Sequence, residues 1–148
     1  WSTYYASHWL ARLYDVTKDE ALKEKIKSRC VRSLQWMFDA CQFDDGSLGM
    51  AERDDKWVGM TAVVILQYLE LHARNMLSAD FQQTYYSKAI KSLEWLEFIT
   101  DPVRFPDDGF IPVTATTHPI PGCNTVWLHA LTVEGLLAGP RLRSLNNV

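Results

Sequence analysis

Cysteines are few in this chain of 148 residues, and their positions do not suit cross-linking. The three cysteines, Cys30, Cys41 and Cys123, are an odd number and show no CxxC spacing. A disulfide framework requires paired cysteines, and a zinc cluster requires closely spaced ones. The sequence therefore predicts free thiols, which are buried because cysteine packs as a small apolar side chain.

Basic clusters and long apolar runs are also missing. The chain has 15 basic and 18 acidic residues, a net charge of -3, and no basic stripe of the kind that binds a phosphate backbone. The longest apolar run, residues 58–71, is interrupted by Gln67 and Glu70 and is too short to cross a bilayer. We therefore expect no nucleic-acid partner and no membrane span.

The histidines do not form a recognisable metal motif. His8, His72 and His129 lie in predicted helices without an HxxxH or HExxH partner. Local spacing therefore assembles no zinc site, and the sequence gives no reason to expect a metal or a cofactor.

The hydrophobic content of 47% is sufficient for the core of one domain. The chain opens at Trp1 without a targeting stretch, which suggests an excised piece of a longer protein and leaves its compartment open.

An internal repeat organises the sequence around an acidic turn that contains glycine. Trp36 within SLQWM returns as Trp95 within SLEWL, and the DDG turn at residues 44–46 returns at residues 107–109. An apolar helical pattern follows each turn. A repeated hairpin unit explains this order, and it predicts that the two tryptophans occupy equivalent packed positions.

Apolar spacing predicts five helices of two kinds. The second and fourth are apolar on one face and charged on the other, whereas the first, third and fifth are apolar nearly all round and should be more buried. Thr17 and Glu20 resemble a capping box at the start of the second helix, and Ser78 is the predicted cap of the fourth. The predicted helices span residues 2–15, 18–40, 57–73, 79–99 and 124–138.

Enclosed helices that alternate with amphipathic ones are typical of two concentric helical layers. We therefore predict an all-α chain, namely an α/α toroid or an arc of one, with alternating inner and outer antiparallel helices in about two and a half hairpins. Residues 1–148 would form a single domain of α/α hairpins and a segment of a larger toroid. An ordinary helical bundle is the alternative.

Two short patterns connect the sequence to known families. One stretch resembles the QW-type repeat of terpenoid cyclases and protein prenyltransferases. It has a tryptophan, a Gln and a DGS turn, followed by Trp57 and a Thr-Ala pair, although Leu48 stands where that motif has Trp. Residues 13–19 are similar to the interhelix turns of six-hairpin (α/α)6 carbohydrate-active enzymes. Both resemblances imply the α/α toroid. The QW-like residues are Arg32, Ser33, Trp36, Met37, the run 42–48, Trp57, Thr61 and Ala62.

The turns that lead into the inner helices are acidic and aromatic, and they should gather at one mouth of the helical array. Carboxylates bind sugar hydroxyls and act as acid or base, while aromatic faces stack on sugar rings. We therefore expect a glycoside hydrolase or polysaccharide lyase segment whose partner is an oligosaccharide or polysaccharide. The predicted catalytic residues are Asp54, Asp55 and His118, and the predicted substrate-binding residues are Trp57, Asp45, Asp108 and Phe110.

Other interpretations remain open. The repeated DDG turns suit a structural role, because Asp caps turns and Gly supplies positive φ. A terpenoid cyclase would need an acidic DxDDTA segment where residues 58–62 have VGMTA, and a prenyltransferase would need a zinc ligand set that is missing. A non-catalytic helical-repeat binding module is a further alternative. Glu70 and Glu134 align at one offset and are assigned to packing, and His129 is assigned to an interior hydrogen bond.

Overall fold

The computed structural model describes residues 2–49, 56–101 and 126–145. Within these ranges all regular structure is helical, which confirms the all-α prediction, and no β-strand is present. Each predicted helix bound lies within two residues of the observed one, except that the second helix ends in a π-helical turn and a short sixth helix was not predicted. The helices are α1 (Ser2–Val16), α2 (Glu20–Trp36, continued by the π-helical turn Met37–Cys41), α3 (Val58–Ala73), α4 (Ala79–Ile99), α5 (Val126–Leu137) and α6 (Gly139–Ser144).

Local capping sets two of the helix starts. The hydroxyl of Ser78 accepts a hydrogen bond from the amide of Phe81 at 3.2 Å, so the predicted cap of α4 is confirmed. The prediction for α2 is wrong by two residues, because Asp19 caps that helix and accepts from the amide of Leu22 at 3.1 Å. Thr17 instead accepts from the amide of Asp19, an arrangement that leaves the better capping carboxylate at the helix start.

The helices pair as antiparallel hairpins, and equivalent helices of successive hairpins lie side by side. In the first hairpin, the Cys30 thiol of α2 donates to the carbonyl of Ser7 in α1 at 3.6 Å. Helix α1 also runs parallel to α3, since Ser7 meets Gln67 and Asp15 meets Arg74 further along both helices. Helix α5 continues this row on the other side of α3.

Helix α3 is the enclosed helix of the array, as its pattern predicts. Most of its side chains are buried, and the intermediate or exposed exceptions are Leu66, Glu70, His72 and Ala73. The prediction that α1 and α5 are equally enclosed is wrong, because much of the apolar surface of α1 is exposed and, in α5, Val133 and Leu137 are exposed as well. Helix α1 packs mainly on α2 and α3, and among the described residues no helix is closely packed against its exposed apolar face.

The two repeated tryptophans do not occupy equivalent environments. Trp95 is 7% exposed, whereas Trp36 is 40% exposed, so this prediction is wrong. The π-helical turn that starts directly after Trp36 widens the helix and changes which side chains face inward. Phe38 is buried there instead, and its ring stacks on that of Tyr85 with centroids 5.5 Å apart.

Two further predictions can be compared with the described ranges. Cys30 and Cys41 are buried thiols that form no disulfide among the described residues, as expected, and Cys123 lies outside those residues. Among the described helices, none combines the length and the apolar character needed to cross a bilayer.

Candidate functional site

Few of the predicted site residues lie in the described part of the chain. Asp45 and Trp57 can be placed, and they lie on two consecutive segments of the connection between α2 and α3. The other predicted site residues, Asp54, Asp55, Asp108, Phe110 and His118, fall outside the described residues.

The Asp45 carboxylate is occupied by contacts within its own connection. One oxygen accepts from the amide and the hydroxyl of Ser47, at 3.1 and 2.6 Å, and the other accepts from the ammonium of Lys56. Partial burial alone would raise the pKa of Asp45, but the hydrogen bonds from Lys56 and Ser47 outweigh it and hold the pKa below its ordinary value. These contacts are those of a side chain that stabilises a turn.

The same turn is docked onto α4 of the next hairpin. The Gln42 amide nitrogen donates to the Lys88 carbonyl at 2.8 Å and to the Ser92 hydroxyl at 2.9 Å. That hydroxyl in turn donates to the carbonyl of Gly46 at 2.8 Å. Gly46 has a φ of 93°, and a Cβ built there would lie 2.3 Å from the carbonyl oxygen of Lys91. Only glycine fits such a close approach of two backbones.

Trp57 is half-buried and fixes the entry to α3. Its amide donates to the carbonyl of Leu48 at 2.8 Å, and its own carbonyl accepts from the hydroxyl of Thr61 at 2.9 Å. The Thr61 hydroxyl also accepts from the amide of Leu48 at 3.0 Å. The buried indole nitrogen has no hydrogen-bond partner among the residues that the structure describes. The placed members of the predicted site therefore belong to a connection that joins two hairpins.

A cleft of about 600 Å³ lies elsewhere, between the parallel helices. Its walls come from α1, α3, α5 and the start of α6, and no residue of α2 or α4 lines it. The polar lining residues come from all four helices, and the remainder is aliphatic. The lining residues are Tyr4, His8, Leu66, Leu69, Glu70, Ala73, Arg74, Glu134, Leu137, Ala138 and Arg141.

A chain of ion pairs and hydrogen bonds forms the wall between α1 and α3. His8 Nδ1 lies 3.1 Å from the Glu70 carboxylate, and Arg12 donates to His8 Nε2 at 3.1 Å. These partners fit a neutral imidazole that carries its proton on Nδ1. Arg74 lies 3.3 Å from Glu70 and makes a two-pronged contact with Asp15 at 3.0 and 2.9 Å. Glu70 is therefore held between a histidine and a guanidinium that stays charged.

Tyr4 and Glu134 complete the other side of the cleft. Burial is the main cause that raises the pKa of Tyr4 to about 12, and the carboxylates of Glu70 and Glu134 raise it further. The phenol is therefore a hydrogen-bond donor at neutral pH. Glu134 is exposed and makes no hydrogen bond or ion pair with any residue whose contacts are described. The cleft thus combines one restrained carboxylate with one unrestrained carboxylate.

Exposed aromatic rings continue from the cleft along α1. The Tyr5 ring lies 5.3 Å from that of Tyr4, and the Trp9 ring lies 5.8 Å from the imidazole of His8. Both rings are largely accessible to solvent. They offer flat apolar surfaces beside a polar cleft. Among the described residues, no group of three or more His, Cys, Asp or Glu side chains is arranged to hold a metal ion.

Sequence reasoning missed this cleft because its polar residues are far apart in the chain. His8, Glu70 and Glu134 lie on three different helices, so no local spacing in the sequence connects them. The alignment of Glu70 with Glu134 was the available signal, and it was assigned to packing. Comparisons with protein-family models, with curated proteins and with solved structures found no match.

Proposed function

We propose that this chain belongs to a carbohydrate-active protein built from α/α hairpins and that the cleft between α1, α3 and α5 binds the glycan. One observation carries the proposal: Tyr4, Glu70 and Glu134, from three neighbouring helices, line one cleft of about 600 Å³. That volume falls in the range of small-molecule sites.

The chemistry of the cleft suits a sugar. Carboxylates accept hydrogen bonds from sugar hydroxyls, the Tyr4 phenol donates one, and the aliphatic wall formed by Leu66, Leu69 and Leu137 contacts the C–H face of a ring. Tyr5 and Trp9 supply stacking surfaces at the edge. An isoprenoid site would instead need an apolar and aromatic cavity. The charged walls therefore favour carbohydrate over a terpenoid substrate.

Different environments give the two carboxylates different roles in cleavage. Glu70 contacts the guanidinium of Arg74 and the imidazole of His8, which fix its position, and it acts as the base or nucleophile. Glu134 is exposed and makes no ion pair among the described residues, so it can approach the leaving oxygen and acts as the proton donor. Tyr4 and His8 position the substrate and Glu70.

The proposal includes an arc of an α/α toroid. Three features support it: α1, α3 and α5 lie in a parallel row, α2 and α4 do not line the cleft, and successive hairpins are joined through the Gln42 turn. In such an arc the inner helices form the substrate surface.

A second candidate is a glycan-binding module without catalysis. The observation that favours it is the saturation of Glu70, whose carboxylate already contacts both His8 and Arg74. A base with two permanent partners is less available to a water molecule or a sugar carbon. Both candidates use the same cleft, and they differ only in whether a product is formed.

A glycan array followed by calorimetry and product analysis tests the proposal. We expect one glycan class to bind and Glu134→Gln and Glu70→Gln each to weaken binding about tenfold, which corresponds to about 1.4 kcal/mol. Glu24→Gln, on the exposed surface of α2, is the matched control and should bind like the wild type. Product that disappears in Glu134→Gln supports the enzyme, and binding without product supports the module. Binding to no glycan, or equal binding by all variants, contradicts both.

A further inference from the structure

In the described part of the chain, helix α3 has a neighbouring helix of the parallel row on both flanks. Gln67 donates to the Ser7 hydroxyl of α1 at 2.7 Å on one flank, and Ala62 lies against Gly135 of α5 on the other. A Cβ added to Gly135 would approach that of Ala62 to 2.9 Å. Both flanks of α3 are buried by these helices. Helix α3 therefore shows what a completed position in the row looks like.

Helix α1 exposes an apolar strip on its flank away from α3. Tyr5, Trp9, Leu13 and Val16 follow each other at intervals of four, four and three residues and therefore share one helix face. Trp9 is 64% exposed and Val16 is 74% exposed. We call these four residues the α1 strip. The buried residues Tyr4, Ser7 and Ala11 lie on the opposite face of the helix.

Helix α5 exposes a second apolar strip on its flank away from α3. Ala130, Val133 and Leu137 lie one turn apart and are exposed, with Leu137 at 75%. The buried residues Thr132 and Gly135 lie on the other face, toward α3. We call Ala130, Val133 and Leu137 the α5 strip. Among residues 2–49, 56–101 and 126–145, the two ends of the row thus each lack the neighbour that α3 has.

We propose that the two strips are the halves of a head-to-tail interface between copies of this chain. The α5 strip of one copy packs on the α1 strip of the next and continues the row in which α1, α3 and α5 already lie. Charge supports this pairing, because Arg12 borders the α1 strip and Glu134 borders the α5 strip. Two copies of one strip would instead bring equal charges together.

This interface is heterologous, since different surfaces of each copy meet. It continues the packing of inner helices that the α1–α3 and α3–α5 contacts establish. It leaves the cleft side of the row open, so the clefts of successive copies come to lie along one surface. The interface covers Tyr5, Trp9 and Leu137, which the proposed glycan site also uses, but its test contains no glycan, so the two proposals fail separately.

Sedimentation equilibrium over a range of protein concentrations tests the pairing. We expect the wild type to form dimers and larger oligomers, and Trp9→Glu and Leu137→Glu each to remain monomeric alone. An equimolar mixture of the two variants should form dimers and nothing larger, because the mixture retains one intact α1 strip and one intact α5 strip. Leu22→Glu, on the outer helix α2, is the control for an added charge and should associate like the wild type.

Circular dichroism verifies that each variant folds, and Trp9→Gln or Leu137→Gln replaces any variant that has lost helical signal. A wild type that is monomeric at every concentration overturns the proposal. A loss of association in only one of the two variants indicates a symmetric interface and also overturns it. A mixture that stays monomeric contradicts the complementarity of the strips.

Discussion

Replacing Gly46 by alanine attacks the contact that joins the two hairpins. The residue has a φ of 93°, where a side chain costs about 1–3 kcal/mol. The new Cβ would also lie 2.3 Å from the Lys91 carbonyl oxygen, and this backbone atom of α4 cannot move aside alone. The turn must therefore withdraw, which weakens the buried hydrogen bonds of Gln42 and Ser92 at about 1 kcal/mol each. We expect a total loss of about 3–5 kcal/mol.

Urea unfolding followed by circular dichroism measures this loss. The matched control is Gly139→Ala, whose Cβ would meet only side-chain ends of Leu93, at 3.2 Å, and of Arg143. The control should change stability by less than about 1 kcal/mol, because alanine also favours the helix. If Gly46→Ala costs no more than the control, the turn is not docked on α4 as described, and the inferred connection between the hairpins is wrong.

Three further predictions use single side chains. Trp95→Ala should lower the free energy of unfolding in urea by about 3–5 kcal/mol. Trp36→Ala should lower it by about 2 kcal/mol less, because Trp36 exposes about a third more of its surface. Equal losses would contradict the different burial of the two side chains. Cys30 should resist iodoacetamide at pH 8 until the protein unfolds, because burial raises the pKa of its thiol, and rapid labelling located by mass spectrometry would contradict this. The folded pKa of Asp45 lies below its unfolded value, so its carboxylate stabilises the fold above about pH 4. This contribution is less than about 1 kcal/mol, because the side chain is part-exposed. It is lost as the pH falls through the folded pKa. The stability difference between wild type and Asp45→Asn should therefore shrink in acid, and a difference that grows would refute the sign.

The connection around Gln42 links stability to the proposed site. It ties the end of α2 to α4 through Gln42, and it ties Leu48 to the first turn of α3 through Thr61. The position of α3 in the parallel row depends on this connection. Because α3 carries Glu70, a change in the turn can alter the cleft without touching it.

The helices were predictable because their patterns are local. Helix α3 is apolar all round and is enclosed, and Ser78 caps α4 as a short polar residue before an apolar run should. The exposed flank of α1 could not be predicted. Its sequence also contains many apolar residues, and their exposure depends on which neighbours are present.

The cleft could not be predicted from the sequence for a different physical reason. His8 and Glu70 contact each other across 62 residues of sequence, so no spacing rule connects them. The π-helical turn was not predictable either, because it follows Trp36 directly and buries Phe38 within a repeat that looked regular in the sequence. The two acidic turns are visible in the sequence. The described one, at residues 44–46, makes its contacts within its own connection and with α4.

Amide chemical-shift mapping by NMR, with the oligosaccharide that binds best in the array, tests the central claim most directly. If the glycan binds in the cleft, the largest amide shifts occur on both of its sides, at Tyr4, His8, Glu70 and Glu134. Glu134→Gln should also reduce the affinity measured in the same titration. Shifts centred on Ser47 and the start of α3, with the cleft amides unchanged, would contradict a glycan site in the cleft. They would indicate that the glycan binds at the acidic turns instead.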